Sequence, residues 1–591
     1  MLKNWKNTIL EIAILLIITV PSFTSLINNH YFTMHDDQHV ARLYLLDQGI
    51  KQGTLFPRWV GELGFNFGYP LFNFYPPLVY YVGEFFHLFG AGLVMSVKLT
   101  FILGFILGSI GVFYFSKRLI GRWPAFLAST LYTYFFYHSV NIYVRGALAE
   151  FFSMAVLPFV FLALDSLYRK PNVKSALIFG FTLAILILTH PLIAFPATFF
   201  IGFLSIFYFF SAKEKLVFVK NLFFGSLYGL SLSAFFWLPS LLEKKYTMVD
   251  TLLTHELANY KIHFVYLSQF WYSPWGYGGS VAGTADGMTF QLGKVHLLFL
   301  AGSVALFFIY LFLNRRNFDA VKYYLLFIFL LIFSLFMAST PSQFIWSKIQ
   351  YLWYLQFPWR FLTFACFFIS VSAAMSIFFL QEMVSKYIKK INWLIPALSI
   401  LVCLVVIYKY HKYFVPQHYV DKSEKALTSF SEIAWRVSKT SFEFSPLGIK
   451  TRNTSIGTKT IGLTENELKT TPFEVKGIES GKVSITSKVN TFSDREYAVV
   501  ASTPFTLRLN TFYFPGWQAY AGSKKLVISD NNDYKLMTVN LPKGQYDLRF
   551  LFTDTPVRSF GDYVSVTALI VAILYFILKQ RMKFASVRPG L

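Results

Sequence analysis

Cysteine is nearly absent from this chain, since its 591 residues contain only two, Cys366 and Cys403. Both cysteines lie inside long apolar runs. Two thiols in such surroundings support neither a disulfide framework nor a thiolate metal site. We expect the two cysteines to be packing residues.

Charged residues are also scarce, at 14% of the chain, whereas hydrophobic residues make up 55% and aromatic residues 20%. A soluble domain cannot bury so much apolar surface, but lipid can, and repeated apolar runs of about 20 residues indicate transmembrane helices. The net charge of +23 would suggest a nucleic-acid partner only if the basic residues formed one patch. Here they come in small clusters between apolar runs, which is typical of topology signals. We therefore predict a multi-pass cell-membrane protein that contacts the lipid bilayer and no nucleic acid.

The first apolar run, residues 8–27, follows Lys3 and Lys6 and lacks a good cleavage site, so it predicts an uncleaved helix that starts in the cytoplasm. Basic clusters recur in alternate later loops provided that the aromatic, proline-rich stretch 65–89 is re-entrant or interfacial. This pattern predicts about twelve helices with both termini cytoplasmic. The other expected spans lie near residues 94–115, 124–141, 147–168, 175–190, 192–210, 221–239, 294–313, 322–338, 358–381, 392–410 and 562–578.

The predicted domains follow from this topology. Residues 1–410 form a transmembrane domain with two large outer loops, 28–93 and 240–293. Residues 411–561 alternate apolar and polar side chains in short runs separated by turn signals, which indicates an extracytoplasmic, mainly β domain, a small β-sandwich. Residues 562–591 supply the last helix and a basic cytoplasmic tail. The expected fold class is thus a polytopic α-helical membrane protein with a β-sandwich before its last helix.

Ionisable residues at the edges of the predicted helices collect on the outer side. A charge inside a membrane helix costs roughly 2.5–3.5 kcal/mol on insertion scales, so each one needs a partner or a function. A carboxylate can deprotonate an acceptor hydroxyl, whereas arginine and histidine can hold a phosphate leaving group. Asp36 and Asp37 are therefore the candidate catalytic residues of an extracytoplasmic site. The candidate substrate-binding residues are His35, Arg58, Arg145, Glu150, His190 and Arg360.

The acidic pair in the first outer loop, the aromatic segment after it and the many-helix plan resemble the GT-C superfamily of integral-membrane glycosyltransferases. Two motifs are similar, more narrowly, to its bacterial YfhO-like branch and to the neighbouring 6-pyruvoyl-tetrahydropterin-synthase-related membrane proteins. These motifs are Phe357-Pro358-Trp359-Arg360 and Tyr513-Phe514-Pro515-Gly516-Trp517.

This resemblance implies an inverting transfer of a sugar from a polyprenyl-phosphate-linked donor to a glycan, lipid or protein acceptor. It also implies that Asp36 or Asp37 is the general base, without deciding between them. Members of the superfamily differ in metal dependence, so a divalent metal and the absence of any cofactor both stay open. The pterin label would imply a histidine zinc site, and the sequence shows no such pattern.

Each candidate also has a structural interpretation. Asp36 and Asp37 could be a solvated helix start, and Arg145 with Glu150 an ion pair that only joins helices. His190 could cap a hairpin, and Arg360 could reach lipid headgroups. His35 and His39 could share a metal at helical spacing.

Two other functions share the helices and outer charges: a transporter or flippase of lipid-linked saccharides, and a non-catalytic membrane scaffold. A transporter should carry ionisable residues near mid-membrane and two related halves, and neither is seen in the sequence. A scaffold would not need the candidate residues to converge.

Overall fold

The computed structural model describes residues 2–255, 259–313, 318–387, 393–453, 459–476 and 483–586. The helices of ten or more residues are α1 Leu2–Thr19, α2 His39–Lys51, α3 Leu78–Leu88, α4 Leu93–Ile120, α5 Arg122–Thr133, α6 Leu148–Arg169, α7 Val173–Thr189, α8 Pro191–Ser211, α9 Lys215–Leu232, α10 Ala234–Glu243, α11 Lys294–Leu313, α12 Phe318–Ala338, α13 Leu362–Tyr387, α14 Leu394–Tyr410 and α15 Pro556–Ser586. Shorter α-helices span Leu71–Phe74, Phe136–Ser139, Val249–His255, Leu267–Trp271, Gln343–Lys348, Glu424–Leu427 and Ser438–Thr440.

The strands are β1 Tyr31–Phe32, β2 Tyr419–Val420, β3 Thr451–Asn453, β4 Lys459–Ile461, β5 Phe473–Lys476, β6 Val483–Asn490, β7 Asp494–Ala501, β8 Phe505–Phe512, β9 Trp517–Ala521, β10 Lys524–Leu526, β11 Leu536–Leu541 and β12 Gly544–Phe552. All pairings between these strands are antiparallel.

The chain divides into two compact units, and the first comprises Met1–Asp37, Phe89–Gly229 and Asn259–Asp421. Its centre is the pair α4 and α6, with α5 packed on α4 and α13 on α5, α11 and α12. Close packing of α4 on α6 depends on small residues, because a Cβ at Gly104 would lie 2.5 Å from the Phe151 ring. Helix α13 is buried from Leu362 to Phe379.

Among the described residues, nine helices are long and apolar enough to cross a membrane, or ten if α9 and α10, which bend by 71°, form one span. The prediction of about twelve counted shorter helices. α5 has 12 residues and α7 has 17, or about 18 and 26 Å against a hydrocarbon core of about 30 Å. The stretch 65–89 contains only Leu71–Phe74 and the 11-residue α3. The polytopic helical class is confirmed.

The second unit comprises Gln38–Leu88, Leu230–Ala258 and Lys422–Leu591. It contains a five-stranded sheet of order β10-β9-β12-β7-β6 and a three-stranded sheet of order β11-β8-β5. Side chains of both sheets, among them Tyr497, Leu507, Val539 and Leu548, belong to one apolar core. The expected β region before the last helix is therefore confirmed, and its description as a sandwich stays a prediction.

The predicted boundaries at residues 410 and 561 divide the chain by expected membrane position, whereas compactness assigns residues 38–88 and 230–258 to the same unit as the β region. In this unit α10 packs along α15. Gly561 of α15 makes that contact close, since a Cβ there would lie 2.8 Å from the Ala234 carbonyl oxygen.

Candidate active site

Glu150 lies in the first turn of α6, and its side chain is only 1% exposed. Its Oε2 forms ion pairs with Arg145 Nη2 and Arg360 Nε, both at 3.0 Å. Its Oε1 accepts a hydrogen bond from the Tyr137 hydroxyl. We call these four side chains the Glu150 cluster. Two guanidinium groups on one carboxylate leave the cluster with one net positive charge.

The chain reaches α6 through an irregular turn that positions Arg145. The helix Phe136–Ser139 continues as a π-helical turn, Val140–Val144, and the turn ends at Gly146 with φ +65°. A Cβ at Gly146 would lie 2.2 Å from Met34 Sδ. Both this close approach and the positive φ require glycine at the position. Single π turns frequently occur at functional sites, and this one brings the loop after β1 against the backbone of Arg145.

Arg360 approaches the cluster from the turn that precedes α13. Its Nη1 donates to the Leu355 carbonyl oxygen at 2.6 Å and to Gln356 Oε1 at 3.2 Å. Gln356 itself has φ +61°, a conformation that is uncommon for a residue other than glycine. The rings of Phe357 and Trp359 stack with centroids 4.6 Å apart. These contacts hold the guanidinium plane in one orientation.

Both arginines keep a nitrogen for a further ligand. Arg145 lies 4.4 Å over the Trp359 ring, and its Nη1 donates to Asn141 Oδ1. Neither Arg145 Nε nor Arg360 Nη2 donates a hydrogen bond to any residue that the structure describes. An anion with several acceptor oxygens, such as a phosphate, fits this pair of donors.

His190 lies between α7 and α8, and within the described parts of the chain its buried Nδ1 has no hydrogen-bond partner. Burial and the positive charge of Arg360 together lower the pKa of His190 to about 3, although the charge of Glu150 acts in the opposite direction. The imidazole is therefore neutral at physiological pH. It is within electrostatic reach of the Glu150 cluster, because the charges of Glu150, Arg360 and Arg145 all act on its pKa.

The acidic loop after β1 is hydrogen-bonded to the backbone of Val144 and Arg145. The His35 amide donates to the Val144 carbonyl oxygen at 3.1 Å, and the Asp36 amide donates to the Arg145 carbonyl oxygen at 2.8 Å. Burial alone would lower the pKa of Arg145, but the charges of Glu150 and Asp36 raise it above its ordinary value. Asp36 and Asp37 are both half-buried. The structure thus brings Asp36, Arg145, Glu150, His190 and Arg360 into one neighbourhood.

The side chains of His35 and Asp36, two neighbours in this loop, differ in their contacts. His35 is exposed, and its Nε2 lies 2.9 Å from the Tyr277 carbonyl oxygen. The Asp36 carboxylate has no hydrogen bond and no ion pair within 4 Å among the residues of the described ranges. Its negative charge raises the pKa of Arg145. Asp36 therefore keeps both oxygens available.

Arg58 belongs to the second unit, where it is 5% exposed and forms ion pairs with Asp562 at 2.7 Å and Asp554 at 3.6 Å. Burial lowers its pKa and the two aspartates raise it, with a lowered value as the result. Its assignment to a phosphate stays a prediction.

His35 and His39 do not lie in one helix, because α2 begins only at His39 and His35 lies in the preceding turn. The His39 Nδ1 lies 3.0 Å from the Tyr80 hydroxyl oxygen. Over the described residues, no three histidine, cysteine, aspartate or glutamate side chains are arranged to hold a metal ion.

Sequence reasoning missed Tyr137, Asn141 and Gln356, which complete the Glu150 cluster and its supports. All three are uncharged residues in aromatic or apolar stretches. Their only sequence signal is proximity, since Tyr137 and Asn141 lie within nine residues of Arg145 and Gln356 lies four before Arg360.

The solved structures that are similar to this chain include three proteins of known name. The arabinofuranosyltransferase AftD from Mycobacteria has a TM-score of 0.43 and 12% identity, and the match covers 70% of this chain and 27% of AftD. ArnT from Cupriavidus metallidurans, solved bound to undecaprenyl phosphate, has a TM-score of 0.37 and 12% identity, with coverage of 69% and 71%. The Archaeoglobus fulgidus oligosaccharyltransferase, tethered to an acceptor peptide, has a TM-score of 0.41 and 14% identity, with coverage of 70% and 56%.

At TM-scores below 0.5 these similarities do not decide the function of this chain. The chain spans little more than a quarter of AftD and just over half of the oligosaccharyltransferase. No curated protein matches the sequence. The family is decided by a different comparison: the family model of the 6-pyruvoyl-tetrahydropterin synthase related domain, described as a membrane protein, matches residues 72–414. Because this match covers more than half of the chain, the protein belongs to the 6-pyruvoyl-tetrahydropterin synthase related family of membrane proteins.

Proposed function

We propose that the protein is a membrane glycosyltransferase that transfers a sugar, with inversion, from a polyprenyl-phosphate-linked donor to a glycan, lipid or protein acceptor on the extracytoplasmic face. The class of donor comes from the GT-C resemblance of the sequence. The observation that supports the proposal most is the position of Asp36. The Asp36 backbone amide donates to the Arg145 carbonyl oxygen, and its carboxylate has no hydrogen bond or ion pair with any described residue.

This arrangement suits the two charge changes of an inverting transfer. Asp36 removes the proton from the acceptor hydroxyl, and that oxygen attacks the anomeric carbon while the bond to the phosphate breaks. The negative charge that grows on the phosphate is stabilised by Arg145 and Arg360. Each has a guanidinium nitrogen that donates to none of the described residues. Glu150 holds both guanidinium groups in place without neutralising them fully.

Asp36 is the candidate for the base because of its position beside Arg145. Its amide donates to the Arg145 carbonyl oxygen at 2.8 Å, and its negative charge raises the pKa of Arg145. Asp37 and His35 lie on the same turn and would contact the acceptor side. His190, neutral and with an unused ring nitrogen, can hydrogen-bond a donor oxygen next to the arginines.

The proposal is tested with purified protein in lipid nanodiscs and a panel of polyprenyl-phosphate sugars. Wild type is compared with Asp36→Asn and Asp37→Asn, and the same substitution at the exposed Asp421 is the control. We expect Asp36→Asn to lower turnover by at least about 100-fold, because general-base catalysis contributes about 10²–10⁴-fold. Donor binding, measured separately by displacement of a labelled donor, should stay within about threefold.

Two outcomes contradict the proposal. If Asp36→Asn keeps wild-type turnover, the base is a different residue. If wild type binds no donor and both variants complement a deletion strain, the acidic pair is structural, and a transporter or a scaffold becomes the better hypothesis.

A further inference from the structure

The second unit contains a cavity of about 980 Å³ that has no place in the proposed transfer. This volume is at the upper end of the range of about 300–1,000 Å³ that is usual for small-molecule sites. Its polar end is formed by Arg58, Asp554 and Asp562, and its apolar wall includes Phe235 of α10 and Leu569 of α15. A cavity lined by a charged group and by aliphatic and aromatic side chains matches an amphiphile.

The polar end carries an excess of negative charge. Arg58 is buried between the two aspartates, whereas Asp554 and Asp562 are 47% and 39% exposed. The adjacent Arg558 is neutralised by Glu243, at 3.0 Å. One cation and two carboxylates leave a net charge of −1, which repels a phosphate or sulfate headgroup. The exposed carboxylate oxygens can accept hydrogen bonds from hydroxyl groups.

The apolar wall leads to the surface of a candidate membrane span. α15 is apolar enough to cross the membrane, and only 17% of the residues in its 18-residue apolar stretch are buried. Val566 and Leu569, which line the cavity, are 55% and 47% exposed. The side of the cavity formed by α15 therefore opens toward lipid, and an alkyl tail can enter it from the bilayer.

The shape of the cavity is built into the helix packing. Gly561 lets α15 approach α10 closely, and the Ser565 hydroxyl accepts from the Phe235 amide at 2.9 Å and donates to the Ser231 carbonyl oxygen at 2.9 Å. These bonds occupy the break between α9 and α10 and hold Phe235 at the wall. The wall of the cavity formed by α10 and α15 is thus held in place by close helix packing and by hydrogen bonds.

We propose that this cavity binds an amphiphile with an uncharged, hydroxyl-bearing headgroup, such as a glycolipid, with its hydroxyl groups on Asp554 and Asp562 and its alkyl tail along α15. Arg58 serves this site by holding both carboxylates in place. The inference does not depend on the proposed transferase activity.

A photoactivatable dodecyl glucoside with a diazirine in its alkyl chain tests the proposal on the full-length protein in phosphatidylcholine nanodiscs, purified without glycoside detergent. We expect saturable labelling on the peptide that contains Val566 and Leu569, displaced by dodecyl glucoside and not by dodecyl phosphate. Leu569→Trp fills the apolar wall and should lower labelling at least tenfold. Val571→Trp, on the same helix at a position that is 59% exposed and outside the cavity lining, is the matched control and should label like wild type.

The headgroup is tested separately by Asp562→Asn, which removes a charged acceptor and should weaken displacement by dodecyl glucoside about tenfold. Labelling that is not saturable, or that survives Leu569→Trp, overturns the site. Equal displacement by dodecyl phosphate, or by dodecyltrimethylammonium, overturns the headgroup assignment. A transferase assay that fails while this labelling succeeds leaves the cavity site standing and rejects only the proposed function.

Discussion

Replacement of Glu150 by glutamine tests the central arrangement of the site. In the wild type one buried carboxylate compensates two buried guanidinium groups at 3.0 Å each. Glutamine keeps the size of the side chain but leaves both cations uncompensated in a buried environment. Breaking a buried ion pair in this way costs about 3–5 kcal/mol, and at about 2–4 °C per kcal/mol for a large domain the melting temperature should fall by roughly 10 °C.

Unfolding of the chain can be measured through its cysteines. Its two cysteines, Cys366 and Cys403, are both buried, so a thiol-reactive fluorogenic dye stays dark until the protein unfolds. The matched control is Glu214→Gln, which removes an exposed carboxylate in the same unit and should change the melting temperature by less than about 1 °C, because exposed sites usually contribute within about 0.5 kcal/mol.

A second experiment adds a substitution of Arg360, one of the two ion-pair partners of Glu150. Arg360→Gln in the Glu150→Gln background removes one of the two uncompensated charges, so the double variant should be more stable than the sum of the two single effects predicts. The reasoning is refuted if Glu150→Gln melts within about 1 °C of wild type, or if the two substitutions are additive.

Three further outcomes are expected. Gly146→Ala should destabilise the acidic loop by roughly 1–3 kcal/mol, measured by the same melting assay, and Met34→Ala should relieve the steric part of that loss; equal melting of Gly146→Ala and wild type would contradict the close contact. Because the folded pKa of His190, about 3, lies below its unfolded value, its stabilisation is complete above about pH 6.5 and is lost as the pH falls toward 3. His190→Asn should therefore lose less stability than wild type between pH 7.5 and 5, and parallel pH profiles would argue against a buried neutral imidazole. Arg360→Lys keeps the charge but not the planar fork, so it should weaken donor binding about tenfold in the displacement assay, and unchanged binding would remove Arg360 from the phosphate site.

Much of the architecture was predictable because membrane helices are encoded locally. A run of about 20 apolar residues is enough to indicate a span, and the family match and the nine candidate spans agree with the predicted class. The β region was predictable for the same reason, since its alternation and turns are short-range signals. The count of spans was less predictable, because α5 ends at Thr133, inside a stretch whose apolar pattern continues.

The cost of burying a charge in a membrane identified Arg145, Glu150 and Arg360 one at a time, from sequence alone. Only the tertiary structure decided that Arg145 and Arg360 share the Glu150 carboxylate, since Glu150 and Arg360 are separated by 210 residues and no local pattern encodes their contact. It also decided that Arg58 pairs with Asp562, because which carboxylate meets a given arginine depends on how helices and strands pack. The sequence by itself thus determined which residues needed partners, and the fold determined the partners.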